Sequence, residues 1–218
     1  IQLQALQIPQ KCTGCVHLLR DPDWYDAVPR CIQSCPVDCI EYLDEDDPEV
    51  QKKLADGFEK YISQFCAGGR YCTVSTFYLA NSYYQLSERD KALNAYRQLT
   101  ESEGNPYIEE ACTRASEITY DKQDYQASRE YFRKLLSVAS SADKQNIARL
   151  GILRCSYLLN DNPNTIDIAT QILTDDLAAS DVKKEALYNR AKAYYQLRQF
   201  DNALPDLQQL AEDVRIAW

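Results

Sequence analysis

The stretch Leu79-Ala80-Asn81-Ser82-Tyr83-Tyr84, followed by Lys91-Ala92-Leu93 and then Tyr96, carries two small residues twelve apart. A large aromatic follows each of them, Tyr83 three positions after Ala80 and Tyr96 four after Ala92. The second half of this phrase returns as Gln126-Ala127-Ser128, Ile168-Ala169-Thr170 and Asn202-Ala203-Leu204, so alanines stand at 92, 127, 169 and 203 with spacings of 35, 42 and 34. The first half returns at Ala115 and Ala191, with Tyr194 three residues after Ala191. Small residues at two fixed offsets, repeating at about 34 residues, predict paired helices stacked in an array. The small side chains belong where the two helices of a unit touch. The large residues four after the second alanine, Tyr96, Tyr131 and Leu207, are expected to fill the space beside that contact.

These residues resemble the tetratricopeptide repeat, whose pattern has Leu-Gly-x-x-Tyr on the first helix and Ala-x-x-x-Phe on the second. The units that match best are Leu79-Ala80-Asn81-Ser82-Tyr83 with Ala92 and Tyr96, and Ala191-Lys192-Ala193-Tyr194 with Ala203 and Leu207. The resemblance covers roughly 50–218 and implies an all-α fold, an α-solenoid of helix pairs. Asn160-Asp161-Asn162-Pro163-Asn164 is read as an insertion that produces the spacing of 42, and Phe58–Phe65 as an earlier half-unit. Long linkers of this kind are similar to those of bacterial envelope repeat proteins. Turns are expected near Ser87–Asp90, Asp121–Asp124, Asp161–Pro163 and Arg198–Asp201, where polar residues interrupt the helical pattern.

Composition narrows the function. The net charge is −9, which argues against nonspecific nucleic-acid binding. No run approaches the length of a membrane span, and nothing at Ile1 reads as a signal peptide. The chain contains no Met, which fits a fragment or methionines replaced by selenomethionine. Residues 1–50 hold three Lys or Arg against ten Asp or Glu, so most of the negative charge lies there. The run Asp44-Glu45-Asp46-Asp47 reads as a solvated linker between a cysteine-rich segment, 1–48, and the repeats, 49–218.

Five of the nine cysteines, at 12, 15, 31, 35 and 39, fall near the amino end. Cys12-x-x-Cys15 lets two thiolates face one metal, and a distant pair closes the shell. Cys31-x-x-x-Cys35-Pro36 resembles the ending of bacterial-type ferredoxin motifs, and the segment from Lys11 to Ile40 resembles one cluster motif of the iron–sulfur subunits of molybdopterin oxidoreductases. The resemblance implies that Cys12, Cys15 and Cys31 ligate a 4Fe-4S cluster, with Cys35 completing it or serving a second. Only one such motif is present, however, and a ferredoxin fold needs two. Structural zinc, disulfides and free thiols stay open beside the cluster. Cys112 and Cys155 read as small buried hydrophobes, and Cys66 and Cys72 as free thiols in preference to a bridge around Gly68-Gly69.

No catalytic constellation is visible. His17 is the one histidine, and Glu109-Glu110 and Asp175-Asp176 read as helix-end or solvated carboxylates. The doublets Tyr83-Tyr84 and Tyr194-Tyr195 carry more. Adjacent helical residues point about 100° apart, so if Tyr83 and Tyr194 pack inward, Tyr84 and Tyr195 face elsewhere. By resemblance to the family, that direction is the concave face lined by first helices. Asn81, Gln85, Ser116, Tyr120, Tyr188, Lys192 and Gln196 are assigned to the same face. The expected function is a non-catalytic scaffold that binds a protein or peptide there; the alternative is an iron–sulfur carrier docked to a redox partner through its repeats.

Overall fold

The computed structural model describes residues 46–66, 71–102, 104–176 and 178–216. The chain divides into two units, 1–50 and 51–218, and the architecture below is that of the second. Nine helices and no strand are found among the described residues: α1 Pro48–Phe65, α2 Cys72–Gln85, α3 Arg89–Glu101, α4 Ile108–Asp121, α5 Tyr125–Val138, α6 Ala142–Leu158, α7 Asn162–Thr174, α8 Ser180–Gln196 and α9 Phe200–Ile216. Four helix pairs, α2–α3, α4–α5, α6–α7 and α8–α9, follow the half-unit α1. None of these helices is long and apolar enough to cross a membrane.

One turn, used four times, sets the geometry. Each pair is joined by three residues, and the middle one is left-handed: Ser87, Gln123, Asn160 and Arg198, with φ of 61°, 62°, 55° and 57°. Its N–H donates to the carbonyl of a tyrosine three residues back, at Tyr84, Tyr120, Tyr157 and Tyr195, over 2.9–3.1 Å. The next N–H reaches back to Tyr83, Thr119, Ser156 or Tyr194 at 2.9 Å. These paired bonds satisfy the last carbonyls of the first helix. None of the four left-handed residues is glycine, the residue that adopts this conformation without a Cβ penalty. Asp124 and Asp161 then start α5 and α7 by accepting the backbone N–H of Ala127 and Asn164.

Counted from the left-handed residue, the repeats step by 36, 37 and 38 residues. Seven positions before it stand Ala80, Ser116, Leu153 and Ala191; five after it stand Ala92, Ser128, Thr165 and Ala203. All eight are at most 3% exposed. This corrects the sequence register in two units. The small contact residues of the second are Ser116 and Ser128 rather than Ala115 and Ala127, and Ser128 Oγ donates to the Ser116 carbonyl at 2.9 Å. In the third unit Thr165 takes the place expected of Ala169. Its turn is no longer than the others, so the expected insertion at Asn160–Asn164 does not exist.

Nine positions after the left-handed residue come Tyr96, Phe132, Ala169 and Leu207. Tyr96 is fully buried, and Phe132, not Tyr131, is the buried aromatic of the second unit. Leu207 is 46% exposed, against expectation. The side chain at this position is roofed by the unit that follows, and no helix follows α9 among the described residues.

The core runs along the array in two clusters that meet at α4. Ala111, Ala115 and Ile118 pack toward α2 and α3, and Cys112 packs toward α5 and α6. Burial pushes the Cys112 thiol up to about 11 and raises that of Cys155, as befits two packing thiols. Cys66 and Cys72, expected to be free, form a disulfide that joins α1 to α2. The same two helices are held by a Tyr83 hydroxyl that donates to Glu59 and by stacking of Phe58 on Tyr78 at 5.8 Å. Closing so short a loop is worth about 2 kcal/mol on the chain-entropy account. A Cys66→Ser/Cys72→Ser variant is therefore expected to lose roughly that much in urea denaturation; an unchanged midpoint would count against the clamp.

A tyrosine-lined groove as candidate binding site

The turn dictates the site. The carbonyl that receives the left-handed residue's N–H always belongs to a tyrosine, so each first helix presents one at the same height: Tyr84 on α2, Tyr120 on α4, Tyr157 on α6 and Tyr195 on α8. Tyr84, Tyr120 and Tyr157 are half-buried, and Tyr195 is 63% exposed. Tyr157 is not among the residues that the sequence pattern assigns to this face. Its signal was available, since it stands before the polar turn as Tyr84 does, but the misplaced register of the third unit hid it.

Cations accompany the rings. The Arg89 and Arg114 guanidinium carbons lie 4.0 and 4.9 Å from the Tyr84 centroid. The Lys192 ammonium lies 4.9 Å from the Tyr157 centroid and 5.8 Å from that of Tyr188. At this range each contact is worth about 0.5–2 kcal/mol, more where water is excluded. Tyr120 packs edge-on against Tyr125 at 5.4 Å, and Tyr195 against Phe200 at the same distance.

Two cavities open on this face. The larger, about 510 Å³, is lined by Tyr84 of α2, by Arg114, Glu117, Tyr120 and Asp121 of α4, by Phe132 of α5, and by Ile147, Leu150, Gly151 and Arg154 of α6. Gly151 shapes its floor. A Cβ there would stand 2.5 Å from three carbons of the Phe132 ring, so only glycine lets α6 lie directly on that aromatic. The second cavity, about 320 Å³, shares Tyr120 and Arg154 with the first and continues to Tyr157, Leu158, Glu185, Tyr188 and Asn189. The charges on their walls are largely paired. Arg114 meets Glu110 at 3.0 Å and Glu117 at 3.1 Å, and Arg154 grips both oxygens of Glu185 at 2.6 and 2.7 Å.

Of the residues assigned to this face by sequence, the structure brings Tyr84 and Tyr120 to the first cavity, Tyr120 and Tyr188 to the second, and Lys192 over the rings of Tyr157 and Tyr188. Tyr195 is exposed on α8, and Gln85 is exposed but lines neither cavity. Asn81 turns toward α3, where its Oδ1 accepts the Tyr96 hydroxyl at 2.6 Å. Ser116 is fully buried and cannot serve the groove; the one-residue register error placed a packing serine on the open face. Cys12, Cys15, Cys31 and Cys35 lie outside the described residues, and among the described ones no group of three or more His, Cys, Asp or Glu is placed to hold a metal ion.

Comparison with known proteins agrees with this arrangement. One tetratricopeptide repeat family model matches residues 75–105 and 185–214, and a second matches 109–141. Those three stretches are similar to tetratricopeptide repeats. They coincide with the first, second and fourth helix pairs; the third pair, with Leu153 and Thr165 at the small positions, lies between the matches. Among solved structures, TPR-like repeats from Podosopora anserina, described as those of a kinesin light chain, superpose with a TM-score of 0.53 at 13% identity, over 75% of this chain and 85% of that one. MamA superposes at 0.51 and 12% identity, over 82% of this chain and all of its own. At these identities the likeness is one of fold. No curated protein matches the chain.

Proposed function

We propose that this chain is a non-catalytic scaffold whose first-helix groove binds an extended segment of a partner protein. The observation that carries the reading is the file of four tyrosines, one per repeat, beside two connected cavities. The turn fixes the backbone at these positions and not the side chain, since a carbonyl accepts the same hydrogen bond from any residue. Packing does not demand tyrosine either, because Tyr195 keeps most of its surface exposed. Tyrosine offers large contact area with few rotatable bonds and a hydroxyl at the tip, which suits recognition of a peptide backbone and mixed side chains.

The test is panning of a phage-displayed random peptide library against the full chain, followed by titration of an enriched peptide. Tyr157→Ala and Tyr195→Ala should each weaken binding by about 1–2 kcal/mol, roughly 5- to 30-fold. Their circular dichroism and melting should stay close to those of the parent, since neither side chain is fully buried. Unchanged affinity in both variants would remove the groove from consideration.

A further inference from the structure

The last repeat of a helical array needs a polar outer face, because nothing stacks on it. No helix follows α9 among the described residues, yet its outer face is apolar. Six and nine positions after the left-handed residue, the first three pairs carry Leu93 and Tyr96, Arg129 and Phe132, and Ile166 and Ala169, each buried or half-buried. In α9 the same two places are Leu204 and Leu207, each about half exposed. Phe200 and Ala211 extend the exposed stripe in both directions. The rotation of α9 is fixed from behind. Ala203 and Asp206 are buried, and Asp206 accepts from Arg190 Nε at 2.8 Å and from Nη2 at 2.6 Å across to α8. The stripe therefore cannot turn inward.

Its spacing says what fits there. Phe200, Leu204, Leu207 and Ala211 stand four, three and four residues apart, the alternation that lines a seam between two aligned helices. In the sequence it continues three and four residues on, at Val214 and Trp218. Laid antiparallel on its own copy, the series matches itself from end to end. Leu207 faces Ala211, Leu204 faces Val214 and Phe200 faces Trp218, so the two middle layers each set a larger residue against a smaller one. The edge of the stripe supplies complementary charge. Asp201 and Arg215 hold the same seam-flanking position two heptads apart, with Gln208 midway. In the antiparallel pair, Asp201 of each copy comes opposite Arg215 of the other, and Gln208 opposite Gln208. The other edge, Ala203, Leu210 and Ala217, is uncharged. A parallel pair sets one edge against the other and leaves both Asp201 and Arg215 without a counter-charge.

We propose that this stripe is a self-association surface, through which two copies of the chain pair by α9, antiparallel and two-fold symmetric. Such a contact uses the same patch on both copies, so it closes on itself and stops at two. It covers the apolar stripe that a single copy leaves in water.

Sedimentation equilibrium of the full chain over a concentration series tests this. The parent should pass from one chain mass to twice that mass as concentration rises. Leu204→Glu/Leu207→Glu should stay at one chain mass, with its circular dichroism unchanged because both side chains are exposed. Asp201→Arg and Arg215→Asp should each weaken association about tenfold when alone, since like charges then face each other twice in every pair. An equimolar mixture of these two variants should restore the dimer, because every acid again meets a base. This rescue is something a merely unfolded variant cannot give. A parent that remains monomeric at every concentration overturns the proposal, as does a dimer that survives Leu204→Glu/Leu207→Glu. Charge variants that pair as well alone as together overturn the antiparallel register.

Discussion

Asp161→Ala is expected to destabilise the array by about 3 kcal/mol, because one carboxylate does two jobs. Its Oδ2 meets Arg129 Nη1 of α5 at 2.6 Å, and its Oδ1 caps the first turn of α7. Arg129 is buried, and its Nε has no hydrogen-bond partner among the described residues, so removing Asp161 strands a cation that keeps only Gln126. Breaking a buried pair from one side costs about 3–5 kcal/mol, reduced here because Asp161 is partly exposed; loss of the cap adds about 1. An Arg129→Met/Asp161→Ala double variant should recover much of the loss, since an apolar pair of similar volume needs no counter-charge, and should retain the cost of the cap. The effect also depends on pH. Burial by itself would raise the Asp161 carboxyl, but hydrogen bonds from Arg129 and Asn164 outweigh it and hold the group below the ordinary carboxylate range. A depressed folded pKa contributes stability that is complete above the unfolded value, about 4, and is lost as pH falls through the folded value. The gap between parent and Asp161→Ala in urea denaturation should therefore be constant from neutral pH to about 5 and narrow below about 4. A gap that widens in acid would contradict the assignment.

The sequence made the helix pairs legible because each turn is a short polar break; three of the four turns fall at the expected breaks, and the third lies about two residues earlier than Asp161–Pro163, with Asn162 and Pro163 already inside α7. The register was less legible, for a reason of size. Serine and threonine fit a close helix contact as alanine does, and in the second unit Ala115 and Ala127 stand immediately before the serines that fill it. In the third, Thr165 occupies the contact, and Ala169 falls where the other units carry Tyr96, Phe132 and Leu207. Alanine spacing alone therefore slipped by one residue and then by four. The tyrosine file was read where it is doubled, at Tyr83-Tyr84 and Tyr194-Tyr195, and at Tyr120. Tyr157, preceded by Ser156 in the misread unit, escaped. The ties between units were not legible at all. Arg129–Asp161 and Arg154–Glu185 join residues about thirty apart, and their meeting depends on how one helix pair seats on the next. The Cys66–Cys72 bridge likewise needs the approach of α1 to α2 that only packing defines.

The register itself yields the sharpest contrast, between two adjacent residues of α5. Ser128→Leu is expected to cost about 3 kcal/mol, and Ala127→Leu under about 1. Ser128 is fully buried against α4, where Ala80, Ala92 and Ala203 mark the equivalent close contacts of other units. A leucine there must push the two helices apart, and it removes the hydroxyl that donates to the Ser116 carbonyl. Overpacking of this kind typically costs about 1–3 kcal/mol, and the lost buried hydrogen bond adds about 1. Ala127 is only half-buried at the same level of the helix, so a leucine there extends toward the surface. Equilibrium denaturation of the two variants, with Ala203→Leu as a reference for overpacking alone, about 1–3 kcal/mol with no hydrogen bond to lose, reads the contrast directly. The outcome also bears on function. The same count from Gln123 that makes Ser128 a contact residue buries Ser116 and turns Tyr120 toward the groove. If Ala127→Leu proved the more damaging, the helix would be rotated by one residue, and the tyrosines of the second unit would no longer line up with those of the first and fourth.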